Sequence, residues 1–208
     1  MRLSLITSFL CCCFFLGCNN QAPEKPDTIR RKSPIAIAAV NHGDTYVKIV
    51  YGQPYKRGRS IFGGLVPFNE VWRTGANEAT EMTTTKPILF NGERLAAGTY
   101  ALFTIPHKEN WTIILNSVLG QWGDFEYNKY YDVLRTTVPS TEAEQPAEAF
   151  TIQIGKVREQ TASIFLHWDT TKVQIPITFL SSQSDSLLNK NTSYLHAPEA
   201  RKNDVHRF

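Results

Sequence analysis

Residues 163–177 read SIFLHWDTTKVQIPI, and apolar side chains occupy every second position on both sides of a short polar interruption. Two triplets flank the interruption: Ile164, Leu166 and Trp168 before it, and Val173, Ile175 and Ile177 after it. A period of two places each triplet on one face of an extended strand, whereas a helix requires apolar residues three or four positions apart. The stretch predicts two half-buried strands separated by a break at residues 169–171.

The same alternation recurs in residues 46–51, 100–105, 111–116 and 150–154. Turn-forming pairs such as Asn91-Gly92 separate these segments, and no amphipathic helical pattern lies between them. This arrangement predicts an all-β fold, an antiparallel β-sandwich or flattened barrel of roughly eight to ten strands. Pro176 lacks an N–H group and therefore indicates an edge position or a bulge in the last strand.

Two segments, residues 58–80 and 118–131, do not follow the alternation. Both are rich in glycine, aromatic and charged residues, and both are too apolar to be disordered. They are predicted to be long ordered loops, which are the usual location of binding and catalytic residues on a β-sandwich. We expect them to converge on a common surface.

The N-terminus resembles a bacterial lipoprotein signal. Arg2 precedes an apolar run over residues 3–16, and Gly17-Cys18 follows. The run is shorter than the ~20 residues of a membrane span. We expect cleavage before Cys18, a lipid on Cys18, and attachment to a membrane of the bacterial cell envelope, facing the periplasm or the surface. A plain secretory signal or an N-terminal anchor is the alternative.

The chain therefore divides into a signal peptide (residues 1–17), a flexible tether (18–33), a β-sandwich domain (34–180) and a loosely ordered polar tail (181–208). The tether carries little apolar content and cannot bury a face. Its basic run Arg30-Arg31-Lys32 is interpreted as solvated charge, with a contact to anionic lipid as the alternative.

Composition argues against several classes of protein. Arg2 is the one basic residue of the signal, so the mature chain carries 21 basic against 19 acidic residues, without the basic stripe of a nucleic-acid binder. All four cysteines lie at or before position 18, so the mature domain has no disulfide and no thiolate. The five histidines are dispersed. No metal site and no cofactor is predicted.

Residues 71–80 read VWRTGANEAT and form the densest polar constellation of the chain. Arg73 and Arg59 offer planar forks for a carboxylate or phosphate. Asn77 and Glu78 are suited to hydrogen-bond with sugar hydroxyls, and Trp72 is suited to form an apolar platform for a ligand. The alternative is an internal network in which Arg73 or Arg59 pairs with Glu78 while Trp72 fills the core.

Aromatic residues divide into two groups. Trp111 and Trp168 lie within alternating strands and are predicted to point inward. Trp122 and Tyr127 lie in the second loop and are the better ligand candidates, because aromatic faces bind apolar and amphipathic rings.

These features favour a module that binds a glycan or peptide, or a scaffold, over an enzyme. The enzymatic alternative is a hydrolase acting on glycan or peptide with Glu78 as general acid or base, which needs a second carboxylate close by. Four residues are candidates for it: Glu70, Glu81, Asp124 and Glu126. An open cleft with such a pair favours the enzyme, whereas Glu78 sealed against an arginine favours a scaffold.

Several strings resemble one family, Domain of Unknown Function 2911, a set of uncharacterised bacterial envelope proteins. The strings are residues 58–63, 66–68, 72–80, 97–106, 111–116, 121–123 with Tyr127, and 132–135. The resemblance covers about residues 45 to 178. It implies the fold and the cell-envelope compartment, and it implies no particular reaction.

Overall fold

The computed structural model describes residues 31–181 and 184–186, and these residues are almost entirely β-structure. Every hydrogen-bonded pair of neighbouring strands is antiparallel. The strands of this region are β1 (Ile35–His42), β2 (Thr45–Gly52), β3 (Thr80–Thr84), β4 (Ile88–Phe90), β5 (Glu93–Leu95), β6 (Gly98–Pro106), β7 (Asn110–Asn116), β8 (Asp132–Ile154) and β9 (Thr161–Phe179). One 3₁₀ turn, Lys129–Tyr131, precedes β8. The predicted antiparallel all-β fold is confirmed.

The strands form one sheet in the order β1-β2-β3-β6-β7-β8-β9-β4-β5, and this sheet bends along β8. The first part of β8, from Asp132 to Pro139, pairs with β7, whereas the part from Ser140 onward pairs with β9. Strands β1, β2, β3, β6 and β7 therefore lie in one layer, and β9, β4 and β5 in the other. The sheet does not close into a barrel, and the fold is a β-sandwich.

The space between the layers is filled by the side chains that the alternation directs inward. Val47 and Ile49 of β2 are fully buried, as are Val173 and Ile175 of β9. Five aromatic rings meet in the same core, with neighbouring centroids 4.9–6.3 Å apart: Phe62, Trp72, Trp111, Phe150 and Trp168. The predicted inward positions of Trp111 and Trp168 are confirmed.

The break predicted at residues 169–171 is wrong, because β9 continues through it. Asp169 has a φ of 51°, and the facing strand β8 carries extra residues between Glu142 and Ala147. A bulge thus accommodates the polar residues without ending the strand. Pro176 lies beyond Val173, the last β9 residue paired with β8, so its missing N–H removes no bond to that strand.

Two long segments between strands are irregular yet ordered. The first insertion comprises residues 53–79, between β2 and β3, and the second insertion comprises residues 117–131, between β7 and β8. They correspond to the two predicted loops. The Ser117 N–H donates to the Tyr131 carbonyl at 2.9 Å, which closes the base of the second insertion.

The predicted signal, the lipidation site Cys18, most of the tether and most of the polar tail lie outside the described residues. Arg31 is the first residue of the compact unit. Residues 31–33 of the predicted tether contact the domain, and the Lys32 carbonyl accepts a hydrogen bond from Arg57 Nη2 at 3.0 Å. None of the described helical segments is long and apolar enough to span a membrane.

Candidate functional site

The two insertions meet in a short antiparallel bridge in which Glu78 faces Trp122. Two backbone hydrogen bonds of 2.9 Å flank it, from Ala79 N–H to the Gln121 carbonyl and from Gly123 N–H to the Asn77 carbonyl. Asn77 therefore contributes through its main chain, in a left-handed conformation with φ 66°. The prediction that both loops converge on one surface is confirmed.

Trp72 fixes the polar constellation to the sheet. Its N–H donates to the Thr104 carbonyl of β6 at 2.7 Å, and its carbonyl accepts from Thr104 N–H at 2.9 Å. The indole N–H donates to the Gly75 carbonyl at 3.1 Å. Thr74 is fully buried with a φ of 54°, so the chain turns sharply after Arg73. Arg73 is thus held between two buried residues.

Gly52, the last residue of β2, packs directly against this turn. The Ala76 N–H donates to the Gly52 carbonyl at 3.1 Å. A Cβ atom placed on Gly52 would lie 2.0 Å from the Ala76 carbonyl oxygen, which is far inside van der Waals contact. Because the obstructing atom is backbone, no side chain can move aside, and only glycine fits.

A cavity of about 410 Å³ opens beside the joined insertions, and we call it the main cavity. Its size lies within the usual range for small-molecule sites. Four charged residues line it: Arg59, Glu70, Arg73 and Asp124. The apolar part of the wall comes from Leu65, Val66, Trp72, Phe125 and Trp168. Both insertions therefore contribute charged and apolar groups to one concave site.

The guanidinium of Arg73 has incomplete partners in the main cavity. Its Nη1 lies 3.8 Å from Asp124 Oδ2, which is an ion-pair distance but too long for a hydrogen bond. Its Nε is buried and has no hydrogen-bond partner among the described residues. Burying an unsatisfied donor costs about 1–3 kcal/mol. The side chain as a whole is 29% exposed and lines the main cavity, so a ligand can reach the outer end of the guanidinium, whereas the buried Nε is closed to it.

Arg59 is positioned by main-chain acceptors. Its Nε donates to the Lys56 carbonyl at 3.0 Å and its Nη2 to the Tyr55 carbonyl at 2.7 Å. It forms no ion pair with a carboxylate in the part of the chain that the structure describes. Its charge is therefore available to a ligand.

Glu78 pairs with Arg31, at the start of the described chain. Arg31 Nη1 donates to Glu78 Oε2 at 3.0 Å, and Nη2 bonds to Oε1. The hydrogen bonds from Arg31 hold the pKa of Glu78 below its ordinary value. The alternative pairing of Glu78 with Arg73 or Arg59 is not formed, because Arg73 faces Asp124 and Arg59 binds backbone carbonyls.

The candidate carboxylates are divided between two places. Glu70 and Asp124 line the main cavity, whereas Glu78 and Glu81 line a smaller neighbouring depression of about 240 Å³, which we call the side depression. Apolar groups dominate the wall of the side depression. Glu126 lines neither. Glu78 therefore does not share a cavity with Glu70 or Asp124.

A family model described as "Protein of unknown function (DUF2911)" matches residues 33–177, well over half of the chain. The chain belongs to the DUF2911 family. The matched range contains both insertions and every residue that lines the main cavity, so the site is part of the DUF2911 domain itself. No curated protein and no solved structure matches the chain.

The predicted aromatic ligand residues of this DUF2911 domain have different surroundings. Trp72 is only 5% exposed, and its ring belongs to the aromatic core while also lining the main cavity. Trp122 is 60% exposed and lines neither the main cavity nor the side depression. Tyr127 lies under the second insertion, where its ring centroid is 5.0 Å from that of Phe103. Only Trp72 contributes to the main cavity.

The hydroxyl group of Tyr127 belongs to a structural network. It donates to Asp132 Oδ2 at 2.8 Å and accepts from Arg135 Nη2 at 2.7 Å. Burial, followed by the hydrogen bond to Asp132, raises the pKa of Tyr127 to about 12. Tyr127 is thus a support for the second insertion.

Replacing Tyr127 by phenylalanine is expected to change the alkaline stability of the DUF2911 domain. Because the folded pKa is the higher one, the unfolded tyrosine loses its proton first. The stability that the protonated Tyr127 hydroxyl contributes to the folded domain is fully present below about pH 10 and is lost as the pH rises toward about 12. The free energy of unfolding, measured by urea denaturation, should fall more steeply with pH for the wild type than for Tyr127→Phe. Parallel curves would contradict this account.

Two aromatic residues of the main cavity did not stand out in the sequence as ligand groups. Trp168 occupies an inward strand position, which predicts core and says nothing of the cavity at its edge. Phe125 lies in the second loop, and its exposure follows from packing that the sequence does not show. Within residues 31–181 and 184–186, no group of three or more His, Cys, Asp or Glu side chains is placed to hold a metal ion.

Proposed function

We propose that the protein is a lipid-anchored module of the bacterial cell envelope that binds a carboxylate-bearing portion of a glycan or peptide in the main cavity. The observation that carries the binding proposal is the Arg73 guanidinium, which lines the main cavity with a side chain 29% exposed and lies 3.8 Å from Asp124, beyond hydrogen-bond distance. A carboxylate accepts two parallel N–H bonds from an arginine fork. A ligand of this class would therefore bond to the outer, accessible end of the Arg73 guanidinium.

The rest of the cavity wall suits the same ligand class. Arg59 adds a second positive charge, and Glu70 and Asp124 add acceptors for hydroxyl or ammonium groups. Phe125 and Leu65 give an apolar wall for a sugar face or a small side chain. The combination favours a ligand that carries a carboxylate together with hydroxyl, amide or ammonium groups.

The anchoring part of the proposal rests on residues 1–18, in which an apolar run is followed by Gly17-Cys18. A lipid on Cys18 would keep the domain near one membrane of the envelope. The glycans and peptides of the envelope are then the molecules available for the domain to bind.

A hydrolase centred on Glu78 would have to act in the side depression, where Glu81 is the candidate second carboxylate and its Oε1 already accepts a hydrogen bond from the Gly120 N–H. Arg31 favours the ionised form of Glu78, which is unsuited to donate a proton near neutral pH. Glu78 also lies outside the main cavity.

The binding proposal predicts that Arg73→Ala abolishes the affinity for carboxylate ligands. We expect a loss of about 2–5 kcal/mol in binding free energy, measured by isothermal titration calorimetry with N-acetylmuramic acid and D-Ala-D-Ala as probes. N-acetylglucosamine and the dipeptide amide are the matched probes that lack a carboxylate and should not bind. Arg73→Lys should recover part of the affinity, because it restores the charge but not the planar fork.

Stability separates a binding role of Arg73 from a structural one. Its ion pair with Asp124 is long, so Arg73→Ala should leave the free energy of unfolding within about 1 kcal/mol of the wild type. Equal binding of acid and amide probes, or unchanged affinity in Arg73→Ala, would defeat the proposal. A stability loss of several kcal/mol would instead assign Arg73 to the fold.

A further inference from the structure

The large apolar side chains exposed by the described residues are concentrated in one loop. Six of the ten belong to the second insertion: Val118, Leu119, Trp122, Phe125, Tyr130 and Tyr131. Val133 lies two residues beyond the insertion, and Ile35 and Ile37 lie on β1. Singly exposed apolar residues are ordinary on proteins, whereas a concentration of them indicates an interaction surface.

The most exposed apolar side chains of the second insertion are aromatic. Trp122 is 60% exposed, and Phe125 and Tyr130 are each 84% exposed. Indole and phenol rings combine an apolar body with a polar group, and they favour the boundary between water and acyl chains.

The second insertion cannot bury these side chains by collapsing onto the sheet. Its base is closed by the bond from Ser117 to Tyr131, and the Gly120 N–H donates to Glu81 Oε1 at 3.0 Å. Its underside is occupied by Tyr127, packed on Phe103. The exposure is therefore a property of a well-braced loop.

The position of the N-terminal segment favours a lipid bilayer as the occupant of this surface. Arg31 pairs with Glu78, which faces Trp122 in the bridge between the insertions. From Cys18 to Arg31 the chain can reach at most about 45 Å, whatever its conformation. A lipid on Cys18 would thus hold the side of the domain that carries Trp122 within reach of the bilayer.

The charged residues of the second insertion indicate which forces would hold it on a bilayer. The second insertion carries Asp124, Glu126 and Lys129, so it has no excess of basic residues to recognise anionic headgroups. Its affinity for a bilayer must come from apolar burial and should not require anionic lipid.

We propose that the second insertion docks on the lipid bilayer through Leu119, Trp122 and Tyr130. The inference rests on the lipid anchor of the proposed function and is independent of the ligand in the main cavity. Docking would give the domain a defined orientation on the membrane.

Tryptophan fluorescence tests the docking directly. Trp122 is the sole exposed indole, because the other three tryptophans of the chain, Trp72, Trp111 and Trp168, are buried. The full chain, purified from membranes, is placed in phosphatidylcholine vesicles with either brominated or unmodified acyl chains. Bromine should quench the fluorescence of the wild type, and Trp122→Phe should lose this quenching.

Paired variants separate docking from general hydrophobicity. Leu119→Ser combined with Tyr130→Ser keeps the reporter Trp122 and should lower the quenching at least about twofold, because the buried apolar area is reduced. Leu65→Ser is the matched control, since Leu65 is exposed on the first insertion, and should leave quenching unchanged. Adding phosphatidylglycerol should have little effect.

The anchor is tested separately by flotation of the wild type and Cys18→Ser with the vesicles. Flotation of the wild type without quenching of Trp122 would overturn the docking inference and leave the anchor standing. If neither protein floats, the anchor fails, and the quenching at saturating lipid still decides the docking, since an absence of quenching there overturns it. Quenching that Leu65→Ser abolishes as strongly as the paired variant would also overturn it.

Discussion

Trp72→Ala is expected to lower the free energy of unfolding by about 3–5 kcal/mol, the range for removing a large aromatic side chain from a core. The indole of Trp72 touches four other rings, stacks on Trp168 with centroids 6.0 Å apart, and donates to the Gly75 carbonyl. The substitution removes these contacts and leaves the Gly75 carbonyl without its donor. Equilibrium denaturation in urea measures the loss.

Trp122→Ala is the matched control, because it removes the same side chain from an exposed position. We expect a change within about 0.5 kcal/mol, typical of surface substitutions. Trp122 meets the first insertion through its backbone, which alanine preserves. Similar losses in both variants would show that the burial of Trp72 does not determine stability.

Gly52→Ala is expected to destabilise the domain by at least about 3 kcal/mol, at the upper end of the range for overpacking. The added Cβ would lie 2.0 Å from the Ala76 carbonyl oxygen, so either β2 or the turn at residues 74–77 must move. That turn carries Arg73 into the main cavity, and the affinity for carboxylate probes should therefore fall together with stability.

Gly155→Ala serves as the control for Gly52→Ala. The nearest atom to its Cβ would be a ring carbon of Phe165 at 3.2 Å, a side-chain atom that can shift. A loss below about 1 kcal/mol is expected. If Gly155→Ala were as damaging as Gly52→Ala, backbone contact would not be the cause of the larger loss.

The sandwich was predictable where the inward positions are uniformly apolar, as in residues 46–51 and 163–168. Strand β3 was not recognised, because threonines occupy two of its inward positions. Thr80 and Thr84 are buried there, with their hydroxyls donating to the carbonyls of Thr74 and Lys86. The first part of β8 has the same character, since Thr136 is buried and accepts a hydrogen bond from Asn91. Such hydrogen bonds depend on the fold and cannot be predicted from the local alternation of apolar and polar residues.

The candidate site, like the fold, was predictable from the sequence only in part. The composition of residues 71–80 was sufficient to select the segment that contributes Arg73 and Trp72 to the main cavity. The choice of partners was not predictable, because it depends on backbone turns that place non-glycine residues in the left-handed region. Thr74 and Asn77 both adopt positive φ, and these turns direct Arg73 toward Asp124 and leave Glu78 to Arg31.

The strand order has a consequence for synthesis of the chain. The hairpin formed by β4 and β5 is attached to the sheet through Ile177–Phe179, near the end of β9. Ile88, Phe90 and Leu95 are almost completely buried in the finished domain, but the β9 residues that pair with Ile88 and Phe90 follow about ninety residues later in the chain. Until then these side chains are exposed on the nascent chain and prone to aggregation. The topology thus delays completion of the native state until β9 has been synthesised and makes chaperone protection most valuable in that interval.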